Sequence, residues 1–257
     1  MHEMHAMELG VTPVARAGQI IEHAVGQRRL GLIPDLLLFL SHPRTVSLGL
    51  VNKANGQPDD LLVPVSRLKR ERIELVRSAR GGGIAYHWPG QIVMCPVMEL
   101  QLHERDIPGF VAKLEQVIIE SLRAFRVETF ASRGTPADVG LWFGGRKVVS
   151  MGIRIDHWVT SFGAAVNIEG DHHPSRYVRS SVDPDAELVT LREILGSAPP
   201  RQWVIQAMKK RFGMAFRRQI TDGDPALLDT LCTAAPETFP MRVNVQLSAW
   251  VGSSFHK

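Results

Sequence analysis

Three consecutive glycines, Gly81, Gly82 and Gly83, stand inside the string RGGGIAYHWPGQ at residues 80–91, with a Tyr-His pair and a Pro-Gly turn close behind. So many backbone-permissive residues are costly to order, so the loop is expected where something must approach the main chain closely. It is flanked by RIELVRSAR (72–80), which reads as a strand entering it, and by QIVMCPVMEL (91–100), apolar throughout and read as a central strand. The glycines can turn backbone N–H groups towards a ligand, Arg80 offers a rigid donor fork, and His87 can donate, accept or carry a proton near neutral pH. A plain tight turn is the competing explanation of the glycines alone. The spacing fits neither a P-loop, which needs Gly-Lys-Ser/Thr, nor the dinucleotide pattern G-x-G-x-x-G.

The order of elements around this loop predicts an α+β fold. AGQIIEHAVGQRR (17–29) has helical spacing, and DLLLFLSH (35–42) reads as a buried strand. A polar loop follows over residues 52–60. The clearest helix spans 108–126, where Phe110, Val111, Leu114, Val117, Ile118, Leu122 and Phe125 form one stripe. RKVVSMGIRI and WVTSFGAAVNI read as a hairpin around the polar RIDH turn, in which His157 is surface. From Glu187 the chain is expected to become helical, with Pro199-Pro200 separating two helices. We expect one main domain over 1–220 and a C-terminal extension over 221–257 packed on it. The alternation in RVNVQLSAWVGSSFHK (242–257) suggests an added strand.

Of the 257 residues, 44% are hydrophobic and 22% charged, with a formal net charge of +4. That is the composition of an ordinary globular protein with a sizeable core. Basic clusters at 67–72, 208–212 and 216–219 are either solvated helix faces or a docking surface for an acidic protein partner. No nucleic-acid partner is expected, because no interleaved aromatics or binding module accompany them. Only Cys95 and Cys232 occur, which excludes a disulfide framework and fits a reducing cytoplasm. LLLFL (36–40) is too short to span a bilayer, and no secretory leader is recognisable. DHHP (171–174) lacks ligand spacing, so no metal is assigned. Cys95, in an apolar strand, reads as a buried inert thiol, with a relocated nucleophile as the minor option; Cys232 reads as a helix-packing residue.

The whole string is more specific than its glycines. RGGGIAYHWPGQ resembles the R-G-G-x-x-T-Y-H-G-P-G-Q signature of the lipoyl/octanoyl protein transferases, relatives of the lipoate- and biotin-protein ligases. SHPRTVSLGL (41–50) is similar to the family's His-Pro strand end, and residues 138–167 resemble the segment around its lysine, with Lys147 on the matching position. The resemblance covers about residues 30–195 in the family's order. It implies a mixed sheet flanked by helices and an acyl tunnel leading to the lysine. It further implies transfer of an octanoyl chain from acyl carrier protein, through an enzyme cysteine, to a lysine on a lipoyl domain, without cofactor. On that basis Arg80, Gly81, Gly82, Gly83, Ile84, Ala85, Tyr86 and His87 would line the acyl and carbonyl site. Ser150, Met151 and Gly152, with Gly163, Ala164 and Ala165, would supply backbone contacts and small walls.

The chain departs from this pattern at the nucleophile. No cysteine lies between Cys95 and Cys232, and the family spacing from Asn167 places Ser181 at the cysteine position, with Val182 the choice if counted back from 189. Three readings follow. Ser181 attacks with Lys147 as base; or Lys147 and the loop polarise a bound acyl group for direct attack, as the related ligases do with ATP and Mg2+; or the chain only binds acyl groups or a carrier domain. The third glycine is closer to the ligases' S-G-G-G-x-x-x-H. Trp88 replaces the family's glycine and is expected beside His87, reshaping the pocket, and Phe162 stands where a histidine commonly precedes Gly-x-Ala.

Overall fold

The computed structural model describes residues 2–52, 60–131, 139–170, 176–179 and 187–234. In chain order the elements are β1 (His2–Val11), α1 (Val14–Arg29), β2 (Asp35–Ser41), β3 (Thr45–Leu48), α2 (Val65–Arg70), β4 (Glu74–Arg77), β5 (Ile84–His87) and β6 (Gln91–Val97). They continue with α3 (Ile107–Arg123), β7 (Phe130–Ala131), β8 (Gly140–Phe143), β9 (Arg146–Asp156), β10 (Val159–Asn167), α4 (Leu191–Leu195), α5 (Arg201–Phe216), β11 (Arg218–Asp222) and α6 (Pro225–Ala234). An eight-stranded mixed sheet runs β11-β1-β2-β6-β10-β9-β8-β7, and a three-stranded sheet runs β4-β3-β5. The fold is α+β, as the element order predicts.

β2 is continuous in hydrophobicity because both of its faces are covered. Leu37 and Phe39 join the core under α3 and α5, whereas Leu36, Leu38 and Leu40 join the core under α1. β6 divides in the same way, with Ile92 and Met94 on the α3/α5 side and Val93, Cys95 and Val97 on the α1 side. The stripe expected over 108–126 closes as α3 at Arg123, where the chain turns through a left-handed Arg126. The hairpin forms with His157 and Trp158, both at positive φ, as its two-residue loop. The small sheet and α2 enclose a third core around Val46, Leu68, Tyr86 and Trp88.

The N-terminal residues, to which the sequence assigns no element, form β1, which pairs in parallel with both β2 and β11. The boundary placed at 220 falls inside β11, so the main sheet continues past it; residues 235–257, with the strand expected there, lie outside the described residues. Residues 187–190 are not helical. Leu188 bridges Lys147 in parallel, and helix α4 starts only after Thr190, which caps it reciprocally with Glu193.

The basic cluster at 216–219 also divides. Arg218 is buried, its Nε donating to Asp35 Oδ2 at 3.0 Å and its two terminal nitrogens to Glu104 at 2.8 and 3.0 Å. Asp35 Oδ1 accepts from Arg28 Nε at 2.7 Å and from the Glu99 backbone N–H at 3.1 Å. This ion network ties α1, β2, β11 and the segment before α3 together. Asp35→Ala leaves two guanidinium groups without their shared carboxylate and is expected to cost about 3–5 kcal/mol, measured by urea denaturation; a loss below about 1 kcal/mol would remove the network as a structural tie.

Candidate active site

Strand parity decides which side chains meet. On β5, alternation sends Ala85 and His87 to one face and Ile84 and Tyr86 to the other. Tyr86 stacks on Tyr177 at 5.4 Å and accepts a hydrogen bond from Arg44 Nε at 2.9 Å. Arg80, Ala85 and His87 line a cavity of about 60 Å³ between the main sheet and α1. The glycines hold the loop. A Cβ on Gly81 would lie 2.4 Å from the Ile153 carbonyl, and Gly82 takes a left-handed φ of +79°. The carbonyls of Arg80, Gly82 and Gly83 accept from Leu50, Val51 and Gly49 N–H. The close approach that the three glycines foretold is therefore to the protein's own backbone. Trp88, expected beside His87 to reshape the pocket, lies in the third core instead, its indole N–H bonded to the Glu169 carbonyl at 2.7 Å.

The cavity floor is part of a cross-strand row of small residues. Gly140 on β8 faces Ser150 on β9, Ser150 faces Ala165 on β10, and Ala165 faces Val93 on β6. One step along, Gly152 faces Gly163. α1 roofs this floor with Val14, Ala17, Gly18 and Ile21. Ser150, Met151, Gly152, Gly163, Ala164 and Ala165 all line the same cavity.

Lys147 reaches this face through a bulge. β8 and β9 pair Leu141 with Val149 but Trp142 with Lys147, so Val148 is the extra residue. Val148 and Val149 both point into the α3/α5 core, and Lys147 is turned to the opposite face. Its side chain lies over Gly140, where a Cβ would be 2.6 Å from Cε and 3.3 Å from Nζ, and Nζ sits 5.5 Å from the Trp142 ring centroid. Gly140 is the cross-strand partner of Ser150, so the ammonium stands at the end of the small-residue row. Ser181 lies outside the described residues, as does the DHHP segment.

A chain of hydrogen bonds connects these parts. Arg80 donates from Nε and Nη2 to Ser47 Oγ at 3.1 and 2.7 Å, so the Ser47 hydroxyl proton goes to His87 Nε2 at 3.1 Å. His87 then carries its own proton on Nδ1 and donates to Gln91 Oε1 at 3.0 Å. Gln91 Nε2 donates to Asn167 Oδ1 at 2.9 Å, and Asn167 Nδ2 donates to the carbonyls of Lys147 and Val189 at 3.3 and 3.2 Å. Burial, reinforced by the neighbouring His42 ring and the Arg80 charge, holds His87 well below its ordinary value, although the Gln91 contact opposes the shift. His42, edge-on to His87 at 5.0 Å, is lowered by burial and by Arg80 against the opposing hydrogen bond to the Thr12 carbonyl. Both shifts favour the neutral imidazole over the charged one. Burial lowers Arg80 to about 10, so it keeps its charge.

Cys95 also lines the cavity, and burial pushes its thiol up to about 12. The thiolate needed for nucleophilic attack is scarce there at neutral pH. Sequence reasoning missed Ser47, His42 and Asn167 as members of the site, although Ser47 and His42 lie in the quoted 41–50 string and Asn167 ends the 138–167 one.

Two outcomes follow from this geometry. Ser47→Ala strips the buried Arg80 and His87 of a shared partner and is expected to cost about 1–3 kcal/mol; an unchanged denaturation midpoint would show the chain to be dispensable. Iodoacetamide at pH 8 is expected to leave Cys95 unmodified in the folded protein, read by peptide mass; rapid native-state labelling would show an accessible thiolate.

Residues 16–213 match the family model described as the lipoyl protein ligase A/B catalytic domain. The chain is 36% identical over 171 residues to an octanoyltransferase of Solibacter usitatus, covering 66% of this chain and 74% of that one. It is 30% identical over 203 residues to an octanoyltransferase of Desulforamulus reducens, covering 79% and 84%. Among solved structures it is similar in fold to lipoate-protein ligase A bound with ATP, with a TM-score of 0.75, 15% identity and coverage of 91% and 93%. A bipartite lipoate protein ligase of Thermoplasma acidophilum is likewise similar, with a TM-score of 0.71, 17% identity and coverage of 91% and 92%. With the signature loop, the lysine bulge and the roofed row of small residues in place, the chain belongs to the lipoyl protein ligase A/B catalytic-domain family.

Proposed function

We propose that this protein transfers an octanoyl group from the thioester of acyl carrier protein to the ε-amine of a lysine on a small acidic lipoyl-type domain. The observation that carries the proposal is the small-residue row Gly140, Ser150 and Ala165, with Lys147 Nζ over its Gly140 end and α1 roofing the cavity at its Ser150 and Ala165 end. Such a groove accepts an unbranched chain and leaves its carbonyl beside a cation. The octanoyltransferase relatives support the acyl length and the transferase chemistry.

In the overall step the C–S bond of the donor breaks and an amide C–N bond forms. The carrier leaves as thiol, taking up the proton that the acceptor amine loses. Lys147 donates to the oxygen that gains charge as the carbonyl becomes tetrahedral, and returns as base to the attacking amine. Because the donor is already a thioester, no ATP is needed. Ser181 is the proposed acyl acceptor if the reaction passes through an enzyme ester, a role a serine fills only with a base beside it. The exposed positive charge of α2, on Lys69 and Arg70, suits an acidic carrier. No helix among the described residues is long and apolar enough to cross a membrane; the scarcity of cysteine is what supports a reducing compartment, and the cytoplasm is the location proposed.

The test is octanoyl-carrier protein incubated with a lipoyl domain, read by intact mass with and without ATP. ATP-independent transfer is expected, falling about 10²–10³-fold in Lys147→Met. Strict ATP dependence would move the protein to the ligases, and no transfer with unaltered carrier binding in Lys147→Met would leave only a binding role. An octanoyl adduct absent in Ser181→Ala supports the ester; full transfer by Ser181→Ala would overturn it.

A further inference from the structure

β10 obeys strand alternation except at one residue. Ala164 and Val166 point into the α3/α5 core, and Val159 and Ala165 point towards α1. By parity Phe162 belongs with Ala164, yet it packs in the α1 core and lines the cavity. The reason is its backbone. Phe162 has φ of +57°, a left-handed conformation disfavoured for any residue bearing a Cβ. The strand therefore gives up a favourable conformation in order to turn one aromatic ring onto the cavity face.

The ring lies at a particular place. Asn167, which holds the Lys147 carbonyl, is at one end of β10, and the floor proceeds through Ala165 and Gly163 before it meets Phe162. Beyond the small residues of β10 the cavity lining therefore meets an aromatic ring, which shares the α1 core with Cys95 and Ile21.

We propose that Phe162 is the end stop of the acyl groove and sets the longest chain this protein transfers. The proposal rests on the acyl-transfer reading above. Each further methylene that finds apolar cover is worth about fourfold in binding; with the stop in place, methylenes that reach Phe162 find none and must displace the ring.

The experiment compares kcat/KM for octanoyl-, decanoyl- and dodecanoyl-carrier protein in wild type, Phe162→Gly and Phe162→Leu. Glycine suits the left-handed backbone and removes the ring; leucine keeps much of the packing should the glycine variant fail to fold, which circular dichroism reads. The expected result is a dodecanoyl-to-octanoyl ratio raised at least about tenfold in Phe162→Gly, with Phe162→Leu intermediate. A wild type that transfers octanoyl, with an unchanged ratio in whichever variants fold, would overturn the stop and leave the acyl-transfer reading standing. A wild type that transfers no chain of any length would overturn that reading itself.

Discussion

The site depends on one directed chain of hydrogen bonds from Arg80, through Ser47, His87, Gln91 and Asn167, to the backbone of Lys147. Its direction is fixed at both ends. A guanidinium can only donate and a peptide carbonyl can only accept, so each intervening hydroxyl, imidazole and amide has one consistent orientation. The chain also crosses from the three-stranded sheet to the main sheet, whose hydrophobic cores are separate. Polar contacts therefore hold the cavity walls in register where apolar packing alone would let them slide. The preference of both histidines for the neutral state belongs to this arrangement, because an added proton would place a second charge beside buried Arg80.

Two breaks in strand alternation shape what the chain of hydrogen bonds encloses. The bulge at Val148 turns Lys147 onto the α1 face, and the left-handed Phe162 turns an aromatic ring onto the same face. Regular β9 and β10 would send both side chains into the α3/α5 core. The reactive end and the blind end of the groove thus arise from the same device, a local departure from period two on neighbouring strands. Between them, regular alternation lays down the small residues.

How much of this is visible in the sequence follows from which signals are local. β2, β6 and α3 declare themselves through continuous or periodic hydrophobicity, and the family string marks Arg80 and His87 without any coordinates. β1 escaped notice because HEMHAMELGV mixes histidine and glutamate among short apolar residues, and its strand character comes from two parallel neighbours distant in sequence. The bulge and the left-handed residue leave no mark in RKVVSMGIRI or SFGAAVN, since both depend on cross-strand register. Trp88 looked like a pocket residue because it follows His87, but adjacent residues on an extended segment face opposite ways. The basic cluster at 216–219 misled similarly, with Arg218 drawn inward by Asp35 and Glu104.

The position of β1 has a consequence for how the molecule is made. One of its two neighbours, β2, follows within a few dozen residues, whereas the other, β11, is contributed by residues 218–222. A ribosome emits the first strand long before the strand that covers its outer edge. Until then β1 presents a row of unpaired amides and carbonyls, the kind of open template on which strands of other chains can add. Joining residues so distant in sequence also makes this the slowest contact to close. Completion of the sheet therefore waits on residues 218–222.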